Sequence, residues 1–283
     1  MNKPLALCVM LLAAIVPHAA NGGNVEENVV ISQPKMADQA NISETVKVNE
    51  ITVTCIRDNK AERTMPLSLF GDIPESLIDS LGIRNGIKSS VNAILVKTEG
   101  ATILFDTGLG KSDSQLLTAL SNKPEYIKFI YLTHFHGDHI GGMMKGDKPV
   151  FTNAEVYASR EEYESWMKMP DEAKAQVVKT MKAYEKHLHL FEFGDTLPGN
   201  VIALDGSGHT PGHTIYNVDN EVLVAGDIIH GMALQLSHPE YCALYDMDKE
   251  KAIRTRKRIL NYAREHKIDI AGMHIPLPGI IPL

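Results

Sequence analysis

The chain has 283 residues, of which 44% are hydrophobic and 22% are charged. This composition excludes disorder over most of the chain, because disordered chains are poor in apolar residues and rich in charge. With 28 basic and 35 acidic residues the net charge is -7, which argues against a nucleic acid as the partner. The three cysteines are too few for a disulfide scaffold.

Residues 1–20 have the pattern of a signal peptide. Lys3 precedes an apolar run from Leu5 to Val16, and small residues follow at Ala19 and Ala20. The run is too short to span a bilayer, so we expect export to the periplasm or the medium and no stable membrane span. A short buried helix and a membrane anchor are the alternatives.

Residues 21–50 are polar and have no apolar period, which indicates a leader or linker. The folded domain is therefore expected over residues 51–283. Its two cysteines, Cys55 and Cys242, are expected to be ordinary buried thiols, and a disulfide between them is the alternative.

Strands and helices are predicted along the whole of this domain from hydrophobic periodicity. The predicted strands are 51–56, 91–97, 101–105, 127–133, 155–158, 188–193, 201–204, 214–218, 221–225 and 268–271. The predicted helices are 114–120, 160–168, 171–187 and 248–266. This order favours two packed sheets with helices outside them. Charged residues on the helices are interpreted as solvent-facing.

A cluster of polar residues directly follows the apolar strand predicted at 127–133. Imidazole and carboxylate groups suit zinc and its first-row neighbours, and the cluster holds His134, His136, Asp138 and His139. Side chains two positions apart on a strand point the same way, so the first two histidines can reach one ion. A turn at Gly137 would aim the other two residues at a second ion. A run of surface or capping histidines is the alternative.

Three later segments each end a predicted strand with a further metal-ligand type. The segment GSGHTPGH contains His209 and His213, LVAGD ends at Asp227, and AGMH ends at His274. A single histidine or aspartate at a strand end is more often a turn residue. Together with the first cluster, however, these segments predict a metal site at one edge of the sheets.

The motifs resemble those of the metallo-β-lactamase superfamily. THFHGDHIGG, GSGHTPGHT, LVAGD and GMHIP occur in the family's order, and DTGLG from Asp106 to Gly110 is similar to the family's Asp-Thr-Gly turn. The resemblance covers about residue 51 to the end. It implies an α+β fold, an αβ/βα four-layer sandwich of two mixed β-sheets with helices outside and metals at one edge of the sheets.

The resemblance also implies roles for individual residues. It implies two divalent metal ions, the first held by His134, His136 and His209, the second by Asp138, His139 and His274, and both by Asp227. Asp106 is implied to orient a ligand histidine, and His213 to be a turn residue or a support behind the ligands. Zinc is the expected metal, with manganese, iron and cobalt as alternatives.

Finer features of the sequence are similar to one branch of the superfamily. True β-lactamases lack a bridging aspartate at the position of Asp227, so antibiotic hydrolysis is a minor interpretation. The runs SSVNA, AGDIIH and AGMHIPLPGI are similar to the methyl parathion hydrolase and acyl-homoserine lactonase branch. Some lactonases have a tyrosine where this chain has His230, which we predict to be a proton donor. The alternative is a histidine that only makes hydrogen bonds beside the site and takes no part in the chemistry.

The implied activity is hydrolysis of a small ester-type substrate, a lactone or a phosphotriester, by a metal-bound hydroxide. Asp138 or Asp227 would accept a proton, and His230 would donate one to the leaving group. The alternatives are a glyoxalase II-like thioester hydrolase, a β-lactamase, a nuclease and a catalytically impaired homologue that still binds metal. The short sequence after His274 is interpreted as a truncation that exposes apolar surface. The sequence does not decide between a monomer and a homodimer.

Overall fold

The framework of the protein is a pair of β-sheets, described here from a computed structural model that covers residues 41–283. The strands are β1 Ser43–Val48, β2 Ile51–Arg57, β3 Arg63–Met65, β4 Ile87–Ser89, β5 Asn92–Lys97, β6 Thr102–Phe105, β7 Phe129–Tyr131, β8 Met144–Lys145, β9 Lys148–Pro149, β10 Glu155–Ser159, β11 Leu188–Phe191, β12 Thr196–Leu197, β13 Val201–Asp205, β14 Thr214–Val218, β15 Val222–Val224, β16 Asp269–Ala271 and β17 Ile280–Ile281. The helices are α1 Glu75–Leu81, α2 Leu116–Ala119, α3 Gly137–Ile140, α4 Arg160–Met167, α5 Asp171–Ala183, α6 Met232–Gln235 and α7 Lys249–His266. The signal peptide predicted at residues 1–20 lies outside the described residues, and export stays a prediction.

Both large sheets are mixed. The first has seven strands in the order β1-β2-β5-β6-β7-β10-β11, antiparallel up to β6 and parallel from there to β11. The second has six strands in the order β12-β13-β14-β15-β16-β17. In it only β15 and β16 run parallel. Two small two-stranded antiparallel sheets, β3 with β4 and β8 with β9, lie outside these sheets.

A shared apolar core joins the inner faces of the two sheets. The first sheet contributes Val53, Phe105 and Tyr131, and the second contributes Tyr216 and Val224, all of them fully buried. These β-branched and aromatic side chains alternate with residues that face outward, as strands with one face on a core require. Burial of this apolar area is the main contribution to the stability of the framework.

Two hydrogen bonds join the sheets beside the end of β7. The Tyr216 hydroxyl donates to the Leu132 carbonyl at 2.6 Å, and the Thr214 backbone N–H donates to the Thr133 carbonyl at 2.8 Å. Both acceptors lie directly before the first histidine cluster. The second sheet therefore fixes the position from which that cluster begins.

Helices cover the outer faces of both sheets. Trp166 of α4 and Val177 and Met181 of α5 pack on the first sheet, while Ile259 and Leu260 of α7 pack on the second. The layers are thus helix, sheet, sheet and helix, which confirms the predicted four-layer α+β sandwich. Within residues 41–283 no helix is both long and apolar enough to cross a membrane.

The described fold differs from the sequence predictions at several short elements. The segment 43–48, expected to be linker, forms β1 and pairs antiparallel with β2, so regular structure is present before residue 51. β1 is a polar edge strand with alternating partial burial, a pattern too weak to separate from a linker. The predicted helix 171–187 ends at Ala183. Cys55 is buried, Cys242 is half-buried and both are free thiols, so no disulfide joins them.

Candidate metal centre

The polar residues singled out from the sequence lie beyond the carboxyl ends of four strands. His134 follows β7, His209 follows β13, Asp227 follows β15 and His274 follows β16. The strand ends meet at one edge of the sandwich, where the side chains converge within hydrogen-bonding reach of one another. The expectation of one shared edge therefore agrees with the structure.

Three histidines form what we call the first ligand group: His134, His136 and His209. The His136 Nδ1 atom lies 2.9 Å from His134 Nε2 and 2.9 Å from His209 Nε2. Strand alternation does not explain this convergence, because β7 ends at Tyr131, before the first of these histidines. The bend after β7 and the use of different ring nitrogens bring the side chains together instead.

The second ligand group consists of Asp138, His139 and His274. His139 Nε2 lies 3.8 Å from Asp138 Oδ1, and His274 Nε2 lies 3.7 Å from Asp138 Oδ2. Asp138 and His139 belong to α3, the single helical turn that begins at Gly137. The chain therefore changes direction in a helical turn, and Gly137 does not have the positive φ of a glycine-specific turn.

Asp227 lies between the two groups. Its Oδ1 atom is 3.2 Å from His139 Nε2, and its Oδ2 atom is 3.3 Å from His209 Nε2 and 3.1 Å from His274 Nε2. Gly226, before it, has φ +54, and a Cβ there would lie 2.4 Å from His213 Nε2. Only glycine fits both the left-handed backbone and this close approach.

The chemistry of these donors fits two divalent metal ions. The ligand atoms of the first group with Asp227, and separately those of the second group, lie within 4.8 Å of one another. His139 Nε2 and Asp227 Oδ1 are buried and have no hydrogen-bond partner. Such orphaned atoms are costly unless something satisfies them, and an ion between them would do so. Zinc suits this set of imidazoles and carboxylates and stays the predicted metal.

The two groups differ in their proton affinities. Burial lowers the pKa of His136 and of His209 to about 4, so these imidazoles are neutral at pH 7. Burial also acts to lower the pKa of His139, but the carboxylates of Asp227, Asp106 and Asp138 outweigh it and raise that pKa well above its ordinary value. The second group is therefore the more strongly charged of the two.

Asp106 lies behind the second group, in the role that the resemblance implied. Its Oδ2 atom is 2.6 Å from His139 Nδ1, and it accepts hydrogen bonds from the backbone N–H and the hydroxyl of Thr133 at 2.8 and 2.7 Å. Asp106 has φ +56, a left-handed conformation that aspartate adopts more readily than most residues. The carboxylate thus orients the histidine so that its Nε2 faces Asp227 Oδ1.

His213 lies behind the bridging aspartate and outside both ligand groups. Its Nε2 atom accepts the backbone N–H of Asp227 at 2.9 Å. Burial is the largest cause that lowers the pKa of His213, to about 3. A neutral ring is what this contact requires, because the accepting nitrogen must be free of a proton.

Two further supports were not predicted from the sequence. The Ser90 carbonyl lies 2.8 Å from His274 Nδ1, and Asp246 Oδ1 lies 2.9 Å from His209 Nδ1. Both supports fix the ring orientation of a ligand histidine. They come from segments far away in the sequence, and no spacing or motif connects them to their histidines.

Glu162 joins the two loops that carry the first group. Its carboxylate accepts hydrogen bonds from the backbone N–H of Phe135 at 3.0 Å and of Gly212 at 2.9 Å. It also accepts them from Trp166 Nε1 at 2.6 Å and the Thr210 hydroxyl at 2.8 Å. The interpretation of charged helical residues as solvent-facing is wrong here, because Glu162 is 1% exposed. Its position one helical turn before the buried Trp166 is the signal that could have found it.

A pocket of about 360 Å³ opens over the ligand groups, and its walls include Arg63, Met65 and Tyr245. His230 also lines it and is 1% exposed, with Nε2 3.2 Å from Asp227 Oδ2. Neither ring nitrogen of His230 has a hydrogen-bond partner. The ring stacks on that of His274 at 5.2 Å between centroids. The structure thus places His230 beside the Asp227 carboxylate and on the wall of the pocket.

The fold and the two ligand groups define the chain as a member of a metallohydrolase class. The family model of the metallo-β-lactamase superfamily matches residues 86–265. The chain belongs to this superfamily.

Similar proteins include hydrolases of more than one kind. The chain is 29% identical to the solved hydrolase AbOPH of the β-lactamase superfamily, with a TM-score of 0.75 and coverage of 87% of this chain and 94% of that one. It is 26% identical to AidC, a dizinc quorum-quenching lactonase solved with the product N-hexanoyl-L-homoserine, with a TM-score of 0.74 and coverage of 84% and 92%.

Sequence comparison adds two relatives. One is the uncharacterized protein YobT of Bacillus subtilis (strain 168), 28% identical over 61% of this chain and 79% of that protein. The other is ribonuclease Z of Pyrococcus abyssi (strain GE5 / Orsay), 42% identical over 62 residues, which are 22% of this chain and 20% of the ribonuclease. Nucleases are thus among the relatives, over a short segment.

Proposed function

We propose that the protein is an exported dinuclear metal-dependent hydrolase that cleaves a small ester-type substrate, a lactone or a phosphotriester. The observation that carries the proposal is the placement of Asp227, whose Oδ1 faces His139 at 3.2 Å and whose Oδ2 faces His209 at 3.3 Å. One carboxylate therefore connects two complete sets of ligands. The similarity to a dizinc lactonase over most of both chains supports the same function.

The residues divide the chemistry between them. Two divalent ions, when bound, supply a Lewis acid for the substrate oxygen and lower the pKa of water toward neutrality. Both ligand carboxylates line the pocket, and Asp138 is the more accessible, with 27% of its side chain exposed against 3% for Asp227. It or Asp227 accepts the proton that the attacking water loses. The buried walls around them hold these groups in place and limit the water that reaches them.

The pocket favours a small substrate with an apolar part. Its volume of about 360 Å³ lies toward the lower end of the range typical for small-molecule sites. Met65 and Tyr245 form apolar wall beside the polar floor of ligands. An uncharged ester with a short acyl or aryl group matches these walls better than a polyanion does.

His230 is proposed as the donor of a proton to the leaving group. Its Nε2 atom lies 3.2 Å from the bridging carboxylate and borders the pocket. We expect His230→Ala to slow a substrate with a poor leaving group by about a hundredfold or more, and one with a good leaving group much less. Rates measured on a pair of phosphotriesters that differ only in leaving-group pKa test this. Equal losses on both substrates would show that His230 is not the donor.

The proposed function is tested with N-hexanoyl-L-homoserine lactone and the zinc-loaded protein, by following release of acid. The blank is His134→Ala with His136→Ala, which removes two ligands of the first group. The matched control is His187→Ala with His189→Ala, two surface histidines at the same spacing whose side chains are 48% exposed. Turnover by the natural chain and the control, but not by the blank, is the expected result.

Two outcomes would redirect the proposal. Turnover of a phosphotriester without turnover of the lactone would place the protein on the parathion-hydrolase side of the branch. Zinc bound without turnover of either substrate would contradict the proposal. Thioesters would then be the next substrates to assay, followed by RNA, since one relative is a ribonuclease.

A further inference from the structure

A buried arginine on α7 holds three segments around the candidate metal centre. Arg256 is 0% exposed. Its Nε donates to the Ile228 carbonyl at 2.5 Å, and its Nη1 donates to the Pro239 and Tyr241 carbonyls at 2.9 and 3.0 Å. Its Nη2 donates to Asp246 Oδ2 at 3.1 Å. The guanidinium thus has four acceptors, although Arg256 itself stands in a helix whose charged residues the sequence marked as solvent-facing.

Two of these contacts lead directly to metal-ligand residues. Asp246, which is 5% exposed, accepts from Arg256 with one oxygen and lies 2.9 Å from His209 Nδ1 with the other. Ile228 is the residue after Asp227, so the second contact fixes the backbone beside the bridging carboxylate. One side chain is therefore connected both to a ligand of the first group and to the ligand that the groups share.

We propose that Arg256 is a positioning residue of the metal centre. Through Asp246 it holds the His209 ring with Nε2 turned toward the other ligands, and through Ile228 it fixes the backbone that presents Asp227. Arginine suits this task because its planar guanidinium carries five N–H donors in a fixed fork. Lysine has a single nitrogen and cannot reach the same set of acceptors in one geometry.

A purely structural role explains these contacts less well. A buried ion pair can be replaced by apolar residues at little or no cost in stability in many proteins. Here the carboxylate of the pair is shared with His209, whose Nε2 atom also faces His136 Nδ1 at 2.9 Å and Asp227 Oδ2 at 3.3 Å. The inference rests on the proposed metal centre and is independent of the substrate proposed above.

Cobalt binding by the full chain tests the proposal, because Co²⁺ replaces zinc and its absorption spectrum reports the ligand geometry. We expect Arg256→Gln and Asp246→Asn each to weaken binding of the first equivalent of Co²⁺ by about 10–100-fold and to change its spectrum. Arg256→Lys, which keeps the charge, is expected to restore part of the affinity. Because Arg256 acts on His209 through Asp246, the losses of the two variants should not add. The double variant Arg256→Gln with Asp246→Asn should bind Co²⁺ about as tightly as the single variant that binds it more weakly.

The control is Arg254→Gln, an exposed arginine of the same helix that pairs with Glu250, and it should bind Co²⁺ as the natural chain does. If Arg256→Gln fails to fold, Arg256→Lys and Asp246→Asn still decide the matter. Unchanged affinity and spectrum in those folded variants, or fully additive losses in the double variant, would overturn the proposal. Absence of hydrolysis in the natural chain would contradict the proposed function and leave this test intact.

Discussion

The two ligand groups are built differently, although they share one aspartate. The first group presents three imidazoles whose facing nitrogens lie 2.9 Å apart, with His136 and His209 neutral at pH 7 because burial lowers each pKa to about 4. The second group contains a carboxylate, and its ligand atoms lie 3.7 and 3.8 Å apart. The ligand atoms of the first group thus lie closer together than those of the second group. The second group is the more strongly charged of the two.

The residues that hold the ligand side chains in place also differ between the two groups. The second group depends on neighbours that surround the first histidine cluster, Asp106 and Thr133, and on the Ser90 carbonyl. The first group depends on Glu162 and Asp246, which stand on or beside outer helices. The comparison teaches that most supporting contacts belong to one group, although the Thr133 hydroxyl also lies 3.0 Å from His134 Nδ1, so the two halves can be disrupted to different degrees.

The largest effect is expected from removing ligands of the first ligand group. His134→Ala with His136→Ala takes away two of its three imidazoles, and hydrolysis should fall by about a thousandfold or more, because a Lewis acid contributes several kcal/mol to the transition state. Steady-state rates on the preferred ester measure this. A double variant that kept its activity would show that the first group is not needed.

A smaller effect is expected from Asp106→Asn, which weakens the support of the second group directly and touches the first group only through Thr133. Loss of the charge behind His139 should lower the affinity for the second equivalent of metal by about 10–100-fold and change that for the first equivalent much less. Titration with zinc against a competing chelator measures both steps. The exposed Asp113→Asn is the matched control, and an equal loss at both steps would contradict the separation of the two supports.

The smallest effect is a pH dependence that belongs to Glu162. Burial raises the pKa of its carboxyl from 4.5 to about 6, in spite of the hydrogen bonds that favour the carboxylate. A carboxyl with a raised folded pKa binds its proton more tightly in the folded state. Its contribution to stability is therefore full below pH 4.5 and is lost as the pH rises through about 6.

Glu162→Gln removes this titration. Between pH 4 and pH 7.5 the free energy of unfolding of the natural chain should fall by about 2 kcal/mol relative to the variant. Urea denaturation of the metal-free proteins at both pH values measures the change. Glu161→Gln, its exposed neighbour, should show no such shift, and a natural chain that gained stability relative to Glu162→Gln would contradict the sign.

The histidine cluster after β7 was predictable because its residues stand close together in the sequence. The convergence of His209, Asp227 and His274 with that cluster also followed from strand ends meeting at one edge. Long strands such as β2 and β5 were predicted from their apolar alternation. β3, β4 and β17 were not, because these short strands lack the longer apolar runs in which the equally short β7, β15 and β16 stand.

The supports of the site could not be predicted in the same way. Glu162 and Arg256 look like ordinary solvated helical charges, since burial of a charge depends on partners that the fold supplies. One weak signal existed for Arg256, which stands four residues after the buried Ala252 and four before the buried Leu260. Asp246 lies in an irregular segment without periodicity, and only the fold shows that it reaches His209.

The most direct test of the account is a count of bound zinc by elemental analysis of the natural chain and of Asp227→Asn. The account predicts two equivalents in the natural chain, because the shared aspartate completes both ligand groups, and one equivalent or fewer in the variant. A variant that keeps both equivalents would show that Asp227 is no bridge. A natural chain that binds no zinc, or no more than one ion with manganese and iron also supplied, would contradict the two-metal centre itself.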